Sequence, residues 1–170
     1  EGLFEFVGGS SGNNGGLYFY DGNGTIINSN GTVQVSSGNQ HNWGQNAGTM
    51  ICYGGTIRVT NGASSIKFDQ NNYDIYDATF ETYSTSWIRL RRSPGHVSGT
   101  SYGNRPVQIA GSSFATDGGG TVVDVDGLGV QFGAGTTSYA LYLTGGTVME
   151  NRGVWTFVGS GGAQHQPQGG

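Results

Sequence analysis

Short stretches in which apolar and polar residues alternate follow one another along most of this chain. Leu3-Phe4-Glu5-Phe6-Val7 is the first of them. A period of two is that of a β-strand with one buried face, and no stretch keeps apolar spacing at i, i+3 and i+4. The pattern therefore predicts an all-β fold with essentially no helix. The predicted strands lie near residues 3–7, 17–20, 25–28, 32–36, 50–53, 56–60, 65–69, 73–76, 78–82, 86–91, 107–109, 113–116, 121–125, 129–132, 138–143, 147–150 and 153–158, and the polar stretches 39–48 and 93–105 are predicted loops.

A phrase of two small residues, a threonine and then β-branched residues recurs along the chain. Glycine adopts positive φ at little cost, and Thr, Val and Ile favour extended backbone, so each copy predicts a turn followed by the start of a strand. A reused turn–strand unit is typical of stacked repeat architectures. The copies are Asn23-Gly24-Thr25-Ile26, Asn30-Gly31-Thr32-Val33, Gly54-Gly55-Thr56-Ile57, Gly119-Gly120-Thr121-Val122 and Gly145-Gly146-Thr147-Val148.

A second repeat aligns residues 75–82 on residues 109–116 without gaps, 34 positions later, and its continuation places Trp87 on Thr121. Strand starts then fall near Thr32, Thr56, Trp87, Thr121 and Thr147, with spacings of 24, 31, 34 and 26 residues. Uneven spacing of this size suits a β-solenoid, or parallel β-helix, of about five or six coils whose loops differ in length. A Gly-rich β-sandwich or jelly roll, in which Gly-Gly-Thr is an ordinary hairpin entry, is the alternative.

The composition favours a single all-β domain over residues 1–170 that buries much of its surface in an assembly. Glycine supplies 34 of the 170 residues, and charged residues are 11%, less than half the usual share of about 25%. So few charges suit subunit packing or contact with neutral glycans. We expect the Gly-rich linker 8–16 and the Gly-rich tail 159–170 to be held in place by assembly contacts.

Several classes of function are excluded by the same counts. A net charge of −4 with only seven basic residues is too little positive charge for a nucleic-acid binder. The chain contains no run of 18 apolar residues, so its sequence does not predict membrane insertion. Cys52 is the single cysteine and follows Met50-Ile51, so we expect a buried thiol and no internal disulfide. Because the chain begins at Glu1, we expect a processed product or a piece of a longer protein.

The Gly-Thr-Val/Ile strand starts and the paired Phe80 and Phe114 resemble segments of phage tail spikes and tail fibres built as right-handed, pectate-lyase-like parallel β-helices. The resemblance covers roughly residues 23–158. It implies a trimeric protein that binds cell-surface polysaccharide, which some members cleave with pairs of carboxylates. No family motif matches residue by residue, so the resemblance assigns no catalytic position.

The acidic residues fall into two groups, Asp74, Asp77 and Glu81, and Asp117, Asp124 and Asp126. Asp77 and Glu81 lie about 13 Å apart on a regular strand, farther than the roughly 5–9.5 Å that paired glycosidase carboxylates need. Asp124-Val125-Asp126-Gly127 resembles the start of a calcium loop but lacks its distal glutamate. A hairpin turn is the favoured interpretation, calcium at Asp124 and Asp126 is the alternative, and no other cofactor is expected.

Aromatic residues among Asn, Gln and Ser are the strongest candidates for carbohydrate or partner contact, because their rings offer an apolar face with a polar handle. The candidates are His41, Trp43, Tyr102 and Trp155, within a wider set that includes Tyr53, Tyr73, Tyr76 and Tyr83. Packing of Trp43 over an open end of the core is the alternative. The histidines His41, His96 and His165 lack metal-ligand spacing, although a Ser-His-Asp triad stays open in so serine-rich a chain.

These observations predict a homo-oligomeric structural and adhesive subunit of an extracellular or virion appendage, such as a tail spike, fibre or filament, with recognition of surface carbohydrate. A polysaccharide lyase or glycoside hydrolase on the same scaffold is one alternative. Another is a filament subunit that donates residues 3–7 or 154–158 to a neighbour's sheet. The expected assembly residues are Leu3, Phe4, Phe6, Trp155 and Phe157.

Overall fold

The fold is described from a computed structural model of the chain. It describes residues 2–6, 15–17, 25–36, 40–45, 49–60, 65–69, 72–90, 95–109, 115–116, 120–133, 139–143, 148–151, 154–158 and 164–167.

Nineteen strands make up the regular structure of these residues, and no helix occurs among them, as the sequence predicts. The strands are β1 (Leu3–Phe6), β2 (Gly15–Leu17), β3 (Thr25–Ser29), β4 (Thr32–Val35), β5 (Gln40–Gln45), β6 (Thr49–Tyr53), β7 (Thr56–Val59), β8 (Ser65–Asp69), β9 (Asn72–Thr82), β10 (Trp87–Leu90), β11 (His96–Gly103), β12 (Val107–Ile109), β13 (Ala115–Thr116), β14 (Gly120–Gly127), β15 (Val130–Gly133), β16 (Tyr139–Leu143), β17 (Val148–Asn151), β18 (Trp155–Val158) and β19 (Gln164–Pro167).

All pairings among the described strands are parallel, and they form three sheets. The first sheet has the order β1-β4-β7-β9-β11-β14-β17, the second β18-β15-β12-β10-β8-β5-β2, and the third β13-β16-β19. Strands that follow one another along the chain mostly alternate between sheets, as from β7 to β8 and from β9 to β10. Parallel neighbours need such long crossover connections, because a tight hairpin joins only antiparallel strands.

The first sheet has two halves that merge at the long strand β9. Residues 72–76 of β9 pair with β6, which pairs with β3, and we call this the leading half. Residues 79–82 pair with β7, followed by β4 and β1, and this is the trailing half. β11 and β14 continue both halves, whereas β17 pairs only with residues 120–123 of β14, in the leading half.

Glycine fixes the turn between β6 and β7, as the recurring phrase predicts. Gly54 and Gly55 have φ values of 61° and 76°. A Cβ atom at Gly55 would lie 2.3 Å from the carbonyl oxygen of Gly31, so no other residue fits there without a backbone shift. The next residue, Thr56, begins β7 and donates its backbone N–H to Gly31 at 3.0 Å.

The core is one hydrophobic cluster shared by the first two sheets, built from residues that pair across successive strands. In the trailing half Val33 pairs with Ile57, and Ile57 with Phe80, and all three are buried. Each buried aliphatic side chain contributes about 1.5–3 kcal/mol. The cluster consists of Val33, Val35, Met50, Cys52, Ile57, Val59, Ile66, Ile75, Ala78, Phe80, Ile88, Leu90, Val97, Val107, Val123, Val125 and Val130.

Two predicted loops and part of the predicted tail are strands instead. The stretch 39–48 contains β5, the stretch 93–105 contains β11, the tail 159–170 contains β19, and residues 15–16 of the predicted linker 8–16 belong to β2. β11 is rich in Gly and Ser but lies between β9 and β14, which satisfy its backbone on both sides. Backbone pairing thus overrides a low β-propensity. The rest of the predicted linker and tail, 8–14, 159–163 and 168–170, lies outside the described residues.

The 34-residue repeat is wrong as a structural register. Ile75 lies in β9 of the first sheet, whereas Ile109 lies in β12 of the second, and Trp87 also begins a strand of the second sheet. The observed column of paired residues runs through Thr32, Thr56, Thr79 and Thr100, at intervals of 24, 23 and 21 residues. Phe114 and Thr147 lie outside the described residues. Loop lengths set these intervals, and the alternation of apolar residues does not encode them.

Candidate functional site

A polar ladder crosses the trailing half of the first sheet on its outer face. Gln34 Nε2 donates to Glu5 Oε1 at 2.9 Å, and Arg58 Nη1 donates to Gln34 Oε1 at 3.3 Å. Arg58 Nε also donates to Glu81 Oε2, and this hydrogen bond and ion pair raises the pKa of Arg58. Hydrogen bonds from Ser36 and Gln34 lower the pKa of Glu5. The ladder joins four adjacent strands, so its side chains stabilise the sheet.

A groove of about 210 Å³ opens on the first sheet where β9, β11 and β14 lie side by side. Its lining is polar except for one alanine and one glycine. It comprises Asp77, Ala78, Thr79, Ser98, Gly99, Thr100, Asp124 and Asp126.

A β-bulge shapes the groove. Ile75 pairs with Val97 and Ala78 with Gly99, so two residues of β9 stand opposite the single residue Ser98. The extra residue Asp77 has a positive φ of 52°. Bulges of this kind commonly redirect a side chain beside a functional site.

Gly99 is essential to this geometry. Its φ is 144°, and a Cβ atom there would lie 1.8 Å from the carbonyl oxygen of Ala78. The two backbones therefore approach at the floor of the groove more closely than a side chain allows.

Ser98 links the bulge to a histidine. The backbone N–H of Asp77 donates to Ser98 Oγ at 2.9 Å, and Ser98 Oγ donates to Asp77 Oδ1 at 3.5 Å. His96 Nε2 lies 2.9 Å from the same hydroxyl. Ser98 is buried, and its hydroxyl already accepts the hydrogen bond of the bulge. This serine–histidine contact therefore has a structural role.

An aromatic strip borders the groove across three strands. The ring of Tyr53 in β6 stacks on Tyr76 in β9 with centroids 5.5 Å apart, and Tyr76 stacks on His96 in β11 at 4.3 Å. Burial, followed by the negative charge of Asp74, raises the pKa of Tyr76. We call Tyr53, Tyr76 and His96 the aromatic strip.

The carboxylates of the groove come from two separate strands. Asp124 and Asp126 occupy alternate positions of β14 and pair with Ser98 and Thr100, and Asp77 projects from the bulge in β9. Within the described residues no group of three or more His, Cys, Asp or Glu side chains is placed to hold a metal ion. Calcium at Asp124 and Asp126 stays a prediction.

The four predicted contact residues do not come together. Tyr102 is exposed in β11 of the first sheet and pairs with Glu81. His41 and Trp43 lie in β5 of the second sheet, and Trp155 lies in β18 of that sheet, partly buried against the core. Four strands separate β5 from β18, a distance of about 24 Å.

The predicted assembly residues lie on strands at the ends of the sheets. Leu3, Phe4 and Phe6 belong to β1, whose described partner is β4 alone. Trp155 and Phe157 belong to β18, which pairs with β15 at the end of the second sheet. Cys52 is buried, as predicted.

Comparison with protein-family models, with curated proteins and with solved structures gives no match for this chain. The tail-spike resemblance therefore stays a prediction, and the case for function depends on the geometry above. Among the described residues no helix is long and apolar enough to cross a bilayer.

Proposed function

We propose that the chain winds into a β-solenoid of about five or six coils. The parallel pairing of the described strands supports this winding, as does the alternation between sheets along the chain. The column Thr32, Thr56, Thr79 and Thr100 gives a coil of 21 to 24 residues over this part of the chain. A β-sandwich is disfavoured, because it is built from antiparallel strands.

We further propose that the chain is a structural and adhesive subunit of an extracellular or virion appendage that binds neutral polysaccharide along the groove. The observation that carries this proposal is the aromatic strip beside a polar, carboxylate-lined groove. Tyr53 and His96 cover the two faces of the Tyr76 ring, so a sugar unit in the groove packs against the edge of the aromatic strip. Its hydroxyls donate to the carboxylates of Asp77, Asp124 and Asp126.

The size and charge of the surface support a polymeric, uncharged ligand. At about 210 Å³ the groove is smaller than the roughly 300–1,000 Å³ pockets that enclose a drug-sized ligand. It suits one unit of a chain that continues over the surface. Anionic polysaccharides are disfavoured, since three carboxylates line the groove.

A glycoside hydrolase is the second candidate, and one observation favours it. Asp124 and Asp126 are two residues apart on one parallel strand, about 6.6 Å, within the roughly 5–9.5 Å range of glycosidase carboxylates. A reducing-end assay on dextran, galactomannan and β-glucan tests this candidate. Release of reducing ends that Asp124→Asn abolishes favours the enzyme, and its absence with retained binding favours the adhesive subunit.

Affinity electrophoresis in native gels containing each of these polysaccharides tests the adhesive proposal. We expect retardation of the wild-type chain in at least one gel and its loss in Tyr76→Ala. Tyr76→Phe keeps the ring and is expected to keep the retardation. Tyr83→Ala removes an exposed tyrosine at the far end of β9 and serves as the matched control. Equal mobility of all four proteins in every gel contradicts the proposal.

A further inference from the structure

The hydroxyl group of Ser98 has one proton to donate and two acceptors within reach. His96 Nε2 lies 2.9 Å from Ser98 Oγ, and Asp77 Oδ1 lies 3.5 Å from the same oxygen. The backbone N–H of Asp77 donates to this oxygen at 2.9 Å, so one of its two lone pairs is occupied in either case. While the imidazole ring of His96 is neutral, the shorter distance favours donation of the hydroxyl proton to Nε2.

Water has little access to this hydroxyl. Ser98 is 6% exposed, and His96 is half-buried. The two side chains lie two residues apart in β11 and therefore share the face of the first sheet on which the groove opens. The hydroxyl proton thus goes to one of two protein acceptors, the ring of His96 or the carboxylate of Asp77.

The ring of His96 is held by stacking and lies among acidic residues. It stacks on Tyr76 with centroids 4.3 Å apart and an interplanar angle of 20°. The face of a tyrosine ring attracts a cation, so this contact accommodates the histidine ring in both charge states. The titratable residues at or near its register position on the same face of the neighbouring strands are Asp74, Tyr76 and Asp77 on β9, Tyr53 on β6, Asp124 on β14 and Glu150 on β17. None of them is a cation that would repel a protonated ring.

We infer that His96 is a positioning residue which controls, through Ser98, how many hydrogen bonds the Asp77 carboxylate accepts from a ligand in the groove. With a neutral ring, Ser98 donates to Nε2, and Asp77 Oδ1 is left to the ligand. A proton taken up from solvent by Nε2 makes both ring nitrogens donors. Nε2–H then donates to Ser98 Oγ, and the hydroxyl proton turns to Asp77 Oδ1.

The consequence for binding rests on the proposed function of the groove. Asp77 supplies one of its three carboxylates, and hydrogen bonds to charged groups are the stronger ones. The loss of one such bond should weaken polysaccharide binding about tenfold. A histidine changes its charge between about pH 5 and pH 8, whereas aspartate carboxyl groups ordinarily titrate near pH 4. Binding should therefore weaken from pH 7.5 to pH 5.5 while the carboxylates keep their charge.

Nuclear magnetic resonance of the full chain tests the exchange of hydrogen bonds without a ligand. Between pH 5.5 and pH 8 we expect the backbone amide and the Cγ resonance of Asp77 to shift with the same midpoint as the ring carbons of His96. Resonances of Asp77 that do not follow the His96 midpoint would overturn the inference.

Two variants separate this exchange from a simple effect of charge. His96→Phe keeps a ring that can stack on Tyr76 but lacks Nε2, so the Asp77 resonances should stay constant over this pH range. Ser98→Ala keeps the titrating ring but lacks the hydroxyl, so the Cγ shift of Asp77 should disappear. A shift that persists in Ser98→Ala would show that charge acts through space and would also overturn the inference. His41→Phe changes a histidine of the second sheet and is the matched control, in which Asp77 should titrate as in the wild type.

Isothermal titration calorimetry at pH 5.5 and pH 7.5 tests the consequence for binding. The ligand is dextran, galactomannan or β-glucan, whichever retards the wild type in native gels. We expect the wild type to bind about tenfold more weakly at pH 5.5. His96→Phe should bind that weakly at both pH values, because its Ser98 hydroxyl has only the Asp77 carboxylate as an acceptor.

The two measurements separate this inference from the proposed function. Equal affinity of the wild type at both pH values overturns the control by His96 and leaves the adhesive function in place. If no polysaccharide retards the wild type, the adhesive function fails, and the magnetic resonance titration still decides whether His96 controls the Asp77 carboxylate.

Discussion

The backbone N–H of Asp77 donates to the hydroxyl oxygen of Ser98 at 2.9 Å, across the β-bulge between β9 and β11. This hydrogen bond satisfies a backbone donor that the regular ladder leaves without a partner. At the bulge a side-chain hydroxyl thus replaces the backbone acceptor of a regular sheet. The shape of the groove, and with it the proposed polysaccharide contact, depends on this hydrogen bond.

Replacement of Ser98 by alanine should therefore destabilise the protein. The buried hydroxyl is lost and the Asp77 N–H is left without its partner, which costs about 1–3 kcal/mol. Chemical denaturation measures the change, and Ser29→Ala in exposed strand β3 is the control, with an expected change below about 0.5 kcal/mol. Equal effects of the two substitutions would show that the bulge does not need Ser98.

Gly99→Ala should be far more damaging than a glycine substitution elsewhere. Its φ is 144°, and the new Cβ meets the Ala78 carbonyl oxygen at 1.8 Å, so we expect a loss on the order of 3 kcal/mol or more. Gly2→Ala is the control, because nothing lies within 4 Å of a Cβ atom there. Thermal unfolding of both variants provides the comparison, and a neutral Gly99→Ala would refute the close approach of β9 and β11.

Cys52 should resist thiol reagents until the protein unfolds. Burial raises the pKa of its thiol to about 12, from an ordinary value of 9.0, so the reactive thiolate is scarce at pH 8.5. Labelling with an aromatic disulfide reagent should track unfolding in urea. Rapid labelling of the native protein would contradict the burial of β6.

The same shift predicts a loss of stability at high pH. Above pH 9.0 the unfolded chain releases the Cys52 proton while the folded chain holds it up to about pH 12, so rising pH favours the unfolded state. Cys52→Ala lacks this contribution. The stability difference between the wild type and this variant should therefore shrink between pH 9 and pH 12, and a constant difference would contradict it.

The Arg58–Glu81 pair should contribute little and should be sensitive to salt. Both side chains are partly exposed, so Glu81→Gln is expected to cost at most about 1 kcal/mol. Urea unfolding at low and at 1 M salt measures this cost, which should fall as salt screens the pair. A large cost that is independent of salt would show that the ladder acts through packing.

The sequence predicts the strands better than their partners. The turn before Thr56 follows from Gly54 and Gly55, whose positive φ values leave few other residues. The register is not predictable in this way, because an alternating pattern fits any even shift and the connections between paired strands differ in length. The false match of Ile75 with Ile109 arises from this degeneracy.

The groove was out of reach of sequence reasoning for a related reason. Tyr53 and Tyr76 are recognisable as candidate contact residues, and Asp77 as one of several acids. Their meeting with Ser98 and His96 requires a bulge that exists only once β9 and β11 are paired. The adjacent Ser98-Gly99 is the one local signal, since glycine within a strand often marks a bulge.

The parallel pairing of β4 with β7 is the feature of the fold that can be tested most directly. Spin labels attached to Thr32→Cys/Thr56→Cys are expected to lie on adjacent strands about 4.8 Å apart, and the buried Cys52 stays unlabelled. We expect a continuous-wave electron paramagnetic resonance spectrum that is strongly broadened by spin–spin interaction. A spectrum equal to the sum of the two singly labelled proteins would contradict it.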